Sequence, residues 1–152
     1  AFDMPETEHP KIESWVKYLE LNIKDVDEET FFVGHSIGCQ TILRFLEKLP
    51  KHQKIGGCVF VAGWFNLINM EEEEMAIAHP WITTHIDFDR VKTHTQKFLA
   101  IFSDNDPYVP SSEKDLFKKN LGARIMIKKK MKHFEEAYEI PEIVEFIEGR
   151  IK

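Results

Sequence analysis

Positive charge, glycine and cysteine are all in short supply in this chain. Its 20 Lys and Arg residues are outnumbered by 26 Asp and Glu, and the formal net charge of −6 argues against a general nucleic-acid binder, whose basic surface neutralises phosphates. The two cysteines, Cys39 and Cys58, lack C-x-x-C spacing, and each sits in an apolar stretch. Buried free thiols are therefore expected in place of a disulfide or a metal site. His79, His85 and His94 match no familiar metal-ligand spacing either. No apolar run approaches the 18 or so residues of a membrane span. No signal peptide is visible, and the expected location is the cytoplasm.

What is present suits one folded unit. At 152 residues, 43% hydrophobic and 12% aromatic, the chain reads as a single domain over residues 1–152. A domain of this size buries roughly two thirds of its unfolded surface.

Two of the seven glycines flank a serine. Residues 30–38 read T-F-F-V-G-H-S-I-G. Phe31, Phe32 and Val33 form a short β-prone apolar run of the kind a strand buried on both faces carries, and a helical apolar pattern follows from Ile37 to Leu49. Ser36 thus sits in a sharp strand-to-helix turn, bracketed by Gly34 and Gly38 in the G-x-S-x-G pattern of a nucleophile elbow. The turn leaves no room for side chains two residues either side of the serine, so a larger residue at Gly34 or Gly38 is expected to jam it. At the helix N-terminus the backbone N–H of Ile37 is unpaired and suited to face a developing oxyanion. The bland alternative is a serine that merely caps the helix.

The rest of the chain alternates strand and helix. An apolar stripe at helical spacing over residues 10–23 predicts a surface helix. Residues 55–62 and 97–103 are continuous apolar runs, expected as buried parallel strands, and residues 123–128 are a fourth strand. Helices are expected at residues 111–121, with Gly122 as the stop, and at 141–151, with Val144 and Ile147 among the inward-facing residues. An acidic run at residues 71–74 starts a helix to Ala78. Residues 79–95 have poor periodicity and suit either a cover over a site or an irregular connection. The pattern implies a three-layer α/β fold, a mostly parallel sheet with helices on both faces.

In open sheets of this class ligands bind beyond the carboxyl ends of the strands. Trp64 and Phe65, just past residues 55–62, are candidates for a pocket wall, with core packing under a loop as the other reading. Trp81, Tyr108 and Phe134 are further pocket candidates.

A serine hydroxyl needs a base within hydrogen-bond reach, and the base needs an acid to fix its tautomer. Elbow serines take these partners in chain order, Asp or Glu before His. Of the seven histidines only His133 directly follows a strand that comes after the acidic loop at residues 104–110. Within that loop Asp104 and Asp106 are both candidates for the acid. Pro107 pushes Asp106 into an extended conformation suited to reaching across a site, whereas Asp104 is placed as an ordinary turn residue.

These residues carry a resemblance. Met4-Pro5 with Pro10 ahead of a Trp-containing helix, V-G-H-S-I-G-C from Val33, G-G-C-V-F-V-A-G-W from Gly56, S-D-N-D-P-Y-V-P from Ser103 and K-H-F from Lys132 resemble the small serine hydrolases of the α/β-hydrolase superfamily akin to retinoblastoma-binding protein nine and its bacterial relatives. The likeness implies an α/β-hydrolase-like fold, Ser36, Asp106 and His133 as a catalytic triad, esterase-like acyl hydrolysis and no cofactor. Relatives commonly have glycine where this chain has Lys132. They also open with a further strand and an H-G-containing loop that supplies a second oxyanion N–H, and nothing here precedes Ala1. The expectation is therefore an N-terminally truncated domain with an exposed sheet edge at the Phe31 strand, open to self-association or to a partner strand. Two other functions stand beside the esterase: a non-catalytic interaction module on the same scaffold, and a thioesterase or acyltransferase drawing anionic substrates to Lys128–Lys132.

Overall fold

A computed structural model describes residues 1–151. In chain order the elements are α1 (Ile12–Asn22), β1 (Phe31–His35), α2 (Ile37–Lys48), β2 (Gly57–Val61), α3 (Glu72–Thr83), α4 (Phe88–Lys92), β3 (Phe98–Ser103), α5 (Glu113–Leu121), β4 (Arg124–Lys128) and α6 (Pro141–Ile147). The four strands form one sheet in the order β1-β2-β3-β4, every pair parallel. Parallel neighbours require a crossover, and the three crossovers contain α2, then α3 and α4, then α5.

Burial follows position in the sheet. β2 is buried at every residue and β3 at all but its last, which is why both read as unbroken apolar runs. On one face Phe32 meets Phe45 of α2, and Phe60 and Phe102 meet Phe117 of α5. On the other, Phe31 meets Phe146 of α6 edge to face. Helices thus lie on both faces.

β1 departs from the expected strand buried on both faces. It is an edge strand among the described residues, and Val33 is 47% exposed. Phe146 of α6 packs on Phe31, two positions away on the same face, while Val33 stays exposed at the sheet edge. Val144 and Ile147 of α6, expected to face inward, are exposed: α6 packs on the edge strand β1, beyond which no strand of the described residues lies to cover them.

Residues 79–95 are more regular than their periodicity suggested. α3 begins with a capping box between Glu71 and Glu74, runs through Pro80 to Thr83, and α4 follows. Its final carbonyls are gathered by Arg44, a buried residue of α2 that donates to the oxygens of Trp81, Thr84 and His85 at 3.0, 2.8 and 3.3 Å. A cation at a helix C-terminus satisfies carbonyls left without a helical partner.

The two elbow glycines are not equivalent. A Cβ on Gly34 would lie 2.8 Å from Ile42 Cδ1 and 2.9 Å from the backbone of both Gly38 and Cys39, whereas one on Gly38 would meet nothing within 4 Å. The expectation that either substitution jams the turn is corrected for Gly38: only Gly34 lies where β1 passes against the start of α2. Gly34→Ala should therefore lose about 1–3 kcal/mol of stability. Gly38→Ala should leave the Tm unchanged or slightly raised, because alanine suits a helix by up to about 1 kcal/mol over glycine. Thermal melts of the two variants against the parent provide the check.

Cys39 and Cys58 are both free and fully buried, and burial pushes both thiols far above their ordinary range. Neither should react with iodoacetamide in the folded protein, and both should react in denaturant, as mass spectrometry of the alkylated chain would report.

Candidate active site

β1 ends at His35 and α2 begins at Ile37, so the whole change of direction falls on Ser36, at φ 51° and ψ −124°. A non-glycine residue in such a region costs on the order of 1–3 kcal/mol and persists only where its surroundings enforce it. Here they do. The Ser36 N–H donates to Val61 O at 2.9 Å, and its own carbonyl accepts from Cys39 N–H at 3.0 Å. Ser36 is the N-cap residue of α2, but its side chain makes no capping bond. The hydroxyl instead faces outward, 2.9 Å from His133 Nε2 and 3.2 Å from the indole Nε1 of Trp64.

His133 lies in the loop after β4, where Lys130, Lys132 and Phe134 all take left-handed conformations, at φ 56°, 49° and 62°. Lys132 thus adopts the backbone that glycine would favour at that position. What holds the loop is a ladder to the end of β3. The N–H of Lys130 donates to Asp104 Oδ1 at 2.7 Å, that of Met131 to Ser103 Oγ at 3.0 Å and that of Lys132 to Asn105 Oδ1 at 2.9 Å. On its other side the loop accepts a bond from His35, whose Nε2 lies 2.7 Å from the carbonyl of His133.

The next acid along serves the imidazole. Asp106 Oδ2 lies 2.8 Å from His133 Nδ1, while Oδ1 accepts from the N–H groups of Tyr108 and Val109 at 2.9 and 3.1 Å. The two side chains are 3% and 9% exposed. Burial alone would raise the Asp106 carboxyl, but the bonds from His133, Tyr108 and Val109 and the imidazole's charge outweigh it, and the group sits below its ordinary range. An anionic Asp106 keeps the proton on Nδ1, which leaves the Nε2 lone pair to accept the Ser36 hydroxyl proton. Asp104 is occupied in the loop ladder and faces Lys130, not His133.

A cleft of about 300 Å³ opens over Ser36 and His133. Pro10, Ile37, Trp64, Leu67, Ile77, Ala78 and Tyr108 give it apolar walls, and the carboxylates of Glu8, Glu74 and Glu135 line it too. Three other pocket candidates pack elsewhere. Phe65 stacks on Phe117 at 4.5 Å between ring centroids, Trp81 is buried edge to face with Trp15 at 6.0 Å, and Phe134 belongs to the core. Each offers a large ring to a neighbouring aromatic or apolar surface, a stronger claim than an open cleft.

Two buried polar residues behind the wall of the cleft went unread in the sequence. Gln40 Nε2 donates to Trp64 O at 3.0 Å, and Glu113 accepts from Phe65 N–H at 2.6 Å and Asn66 Nδ2 at 2.9 Å. Burial raises the Glu113 carboxyl, with the bonds from Asn66 and Phe65 pulling the other way. Gln40 could have been noticed as a polar residue on a helix otherwise packed with Cys39, Ile42 and Leu43; Glu113 reads in sequence as an ordinary first-turn acid. Among the described residues no group of three His, Cys, Asp or Glu side chains could hold a metal ion.

Comparison with known proteins agrees with this architecture. Over 123 residues the chain is 29% identical to the Bacillus subtilis protein YdeN, an alignment covering 81% of this chain and 60% of that protein. It therefore spans less than two thirds of that relative's length. Over 153 residues it is 22% identical to the serine hydrolase RBBP9 of Rattus norvegicus, covering 99% of this chain and 76% of that one. The crystal structure of the B. subtilis ydeN gene product superposes with a TM-score of 0.85 at 24% identity, over 97% of this chain and 79% of that one. A monoacylglycerol lipase of Paleococcus ferrophilus superposes at 0.63 and 17% identity, over 94% and 77%. The fold is thus α/β-hydrolase-like. A serine hydrolase family model matches residues 1–142, nearly the whole of the chain, and the protein belongs to that family.

Proposed function

We propose that the chain is a carboxylesterase-like serine hydrolase that cleaves small acyl esters through an acyl-enzyme on Ser36. The observation that carries this reading is the unbroken relay from Ser36 Oγ to His133 Nε2 at 2.9 Å and from His133 Nδ1 to Asp106 Oδ2 at 2.8 Å, built at a strained turn. In the proposed reaction Ser36 Oγ attacks the ester carbonyl carbon as His133 Nε2 takes its proton. The imidazolium is stabilised by Asp106 and then protonates the departing alcohol. Ile37 N–H, which has no acceptor among the described residues, faces the developing oxyanion. Water activated by His133 then releases the acid. The cleft's apolar walls suit the acyl group.

The anionic-substrate reading gains little support. The charged side chains lining the cleft are Glu8, Glu74 and Glu135 beside His133, and Lys128 is paired with Glu142. A scaffold that served only for binding would have no use for the strained serine or the buried carboxylate. Two buried free thiols accord with the reducing cytoplasm as the proposed location.

A fluorophosphonate probe should label the protein covalently at Ser36, and Ser36→Ala should abolish labelling; equal labelling of both would remove the proposal. Asp106→Asn should lower kcat by about a thousand- to ten-thousandfold, since an amide no longer enforces the required tautomer. The same variant tests a pH dependence. The Asp106 carboxyl is held below its ordinary 3.8, so its stabilising contribution is complete above that value and is lost as the pH falls through the folded-state value. Below about pH 4 the Tm of the parent should fall more steeply than that of Asp106→Asn.

A further inference from the structure

We propose that Trp64 is a further catalytic residue, an N–H donor to the serine oxygen that accelerates release of the acyl group; this rests on the esterase reading above. The indole Nε1 donates to Ser36 Oγ at 3.2 Å, and the side chain is only 3% exposed. The other two tryptophans satisfy their indole N–H groups on backbone carbonyls, Trp15 on Pro5 O at 2.7 Å and Trp81 on Pro10 O at 3.0 Å. Trp64 instead uses the nucleophile.

The position is enforced by buried groups. The Trp64 carbonyl accepts from Gln40, and the next two residues are tied to Glu113 through Phe65 N–H and Asn66 Nδ2. Gln40 and Glu113 are 1% and 0% exposed. Buried polar groups that find hydrogen-bond partners in one arrangement penalise the others. The indole is thus held against Oγ from both sides of its own peptide.

The consequence differs between the two halves of the reaction. At rest, Oγ donates its proton to His133 Nε2 and accepts from Trp64, so its rotor is fixed. In acylation, Oγ forms the bond to the acyl carbon, its proton passes by way of His133 Nε2 to the alcohol, and the carbon–alcohol bond breaks. Oγ is then an ester oxygen, a weaker acceptor. In deacylation, water attacks the acyl carbon and gives its proton to His133 Nε2. The bond from carbon to Oγ breaks, its electron pair goes to Oγ, and Oγ recovers the proton from His133. Charge therefore builds on the atom that the indole faces, where a hydrogen bond to a charged group is roughly twice as strong as a neutral one. Trp64 favours free serine over acyl-serine and speeds the second step selectively.

The test is Trp64→Phe, which keeps an aromatic wall and removes the donor, assayed with p-nitrophenyl butyrate under rapid mixing. Deacylation should slow about tenfold or more, in line with the worth of a hydrogen bond to a charged oxygen. Acylation should not slow, so a burst of one p-nitrophenolate per site should precede a reduced steady rate. A purely structural role would slow both phases together; that result, or unchanged kinetics, overturns the proposal. A second measurement does not depend on that variant folding. In ¹H–¹⁵N spectra, Ser36→Ala, which removes only the acceptor, should move the Trp64 indole resonance and leave those of Trp15 and Trp81 in place. No movement overturns the proposal. A parent protein that neither acylates at Ser36 nor hydrolyses the ester removes the esterase reading itself, and the catalytic role with it.

Discussion

The molecule depends on one backbone constraint, the left-handed conformation of Ser36. Such a conformation is not locally favourable, and it survives because three things leave the chain nowhere else to go. β1 is bonded into the sheet up to His35, the Ser36 amide is spent on Val61, and α2 starts immediately, with its first turn packed against Gly34 where a methyl group would not fit. The parallel sheet thus supplies the rigidity and the elbow converts it into an exposed hydroxyl.

That hydroxyl has value only if an imidazole from the far end of the chain is delivered to it, and the delivery is done by polar contacts between loops. Ser103, Asp104 and Asn105 receive three successive amides of the His133 loop, and Asp106 receives the imidazole itself. Four consecutive residues at the end of β3 therefore orient the whole segment. Because each contact uses a backbone amide, the lysines at positions 130 and 132 are free to point away, and they tolerate left-handed backbone that the ladder imposes. The same ladder separates two neighbouring acids by role: one holds the loop, the next holds the ring.

Much of this was legible along the chain, for physical reasons that differ from part to part. Strands β2 and β3 announce themselves because residues buried on both faces must be apolar throughout. Ser36 could be located because a strand, a cramped turn and a helix leave distinct marks in sequence; the chain order of acid and histidine then pointed to His133 and to the loop holding Asp104 and Asp106, between which Pro107 favoured Asp106. What could not be read depends on tertiary partners. α3 runs through Pro80 to an end whose carbonyls are met by Arg44 from another helix, and Phe65, Trp81 and Phe134 turn to the core because Phe117, Trp15 and the sheet offer better contacts than an open cleft. The exposure of Val33 was legible only in part: its apolar run reads as a strand buried on both faces, whereas the resemblance implied an exposed sheet edge at β1, which is where this strand lies.

The polar residues that escaped the sequence reading share a task. Arg44, Gln40 and Glu113 are each 4% exposed or less, and each is bonded to the backbone of another segment: Gln40 and Glu113 to the connection just beyond β2, Arg44 to the end of α3 and the connection after it. Burying such groups costs desolvation that their hydrogen bonds only roughly offset, so their presence is poorly explained by stability alone. They are better understood as fasteners. Connections beyond strand ends have few apolar contacts to fix their shape, and a buried donor or acceptor that finds its partner in only one loop conformation selects that conformation against the rest. The result is a site whose walls are set by polar ties from the helices behind them, so that Trp64 and Tyr108 present fixed surfaces to the space above Ser36 while the apolar core beneath remains free to be simply well packed.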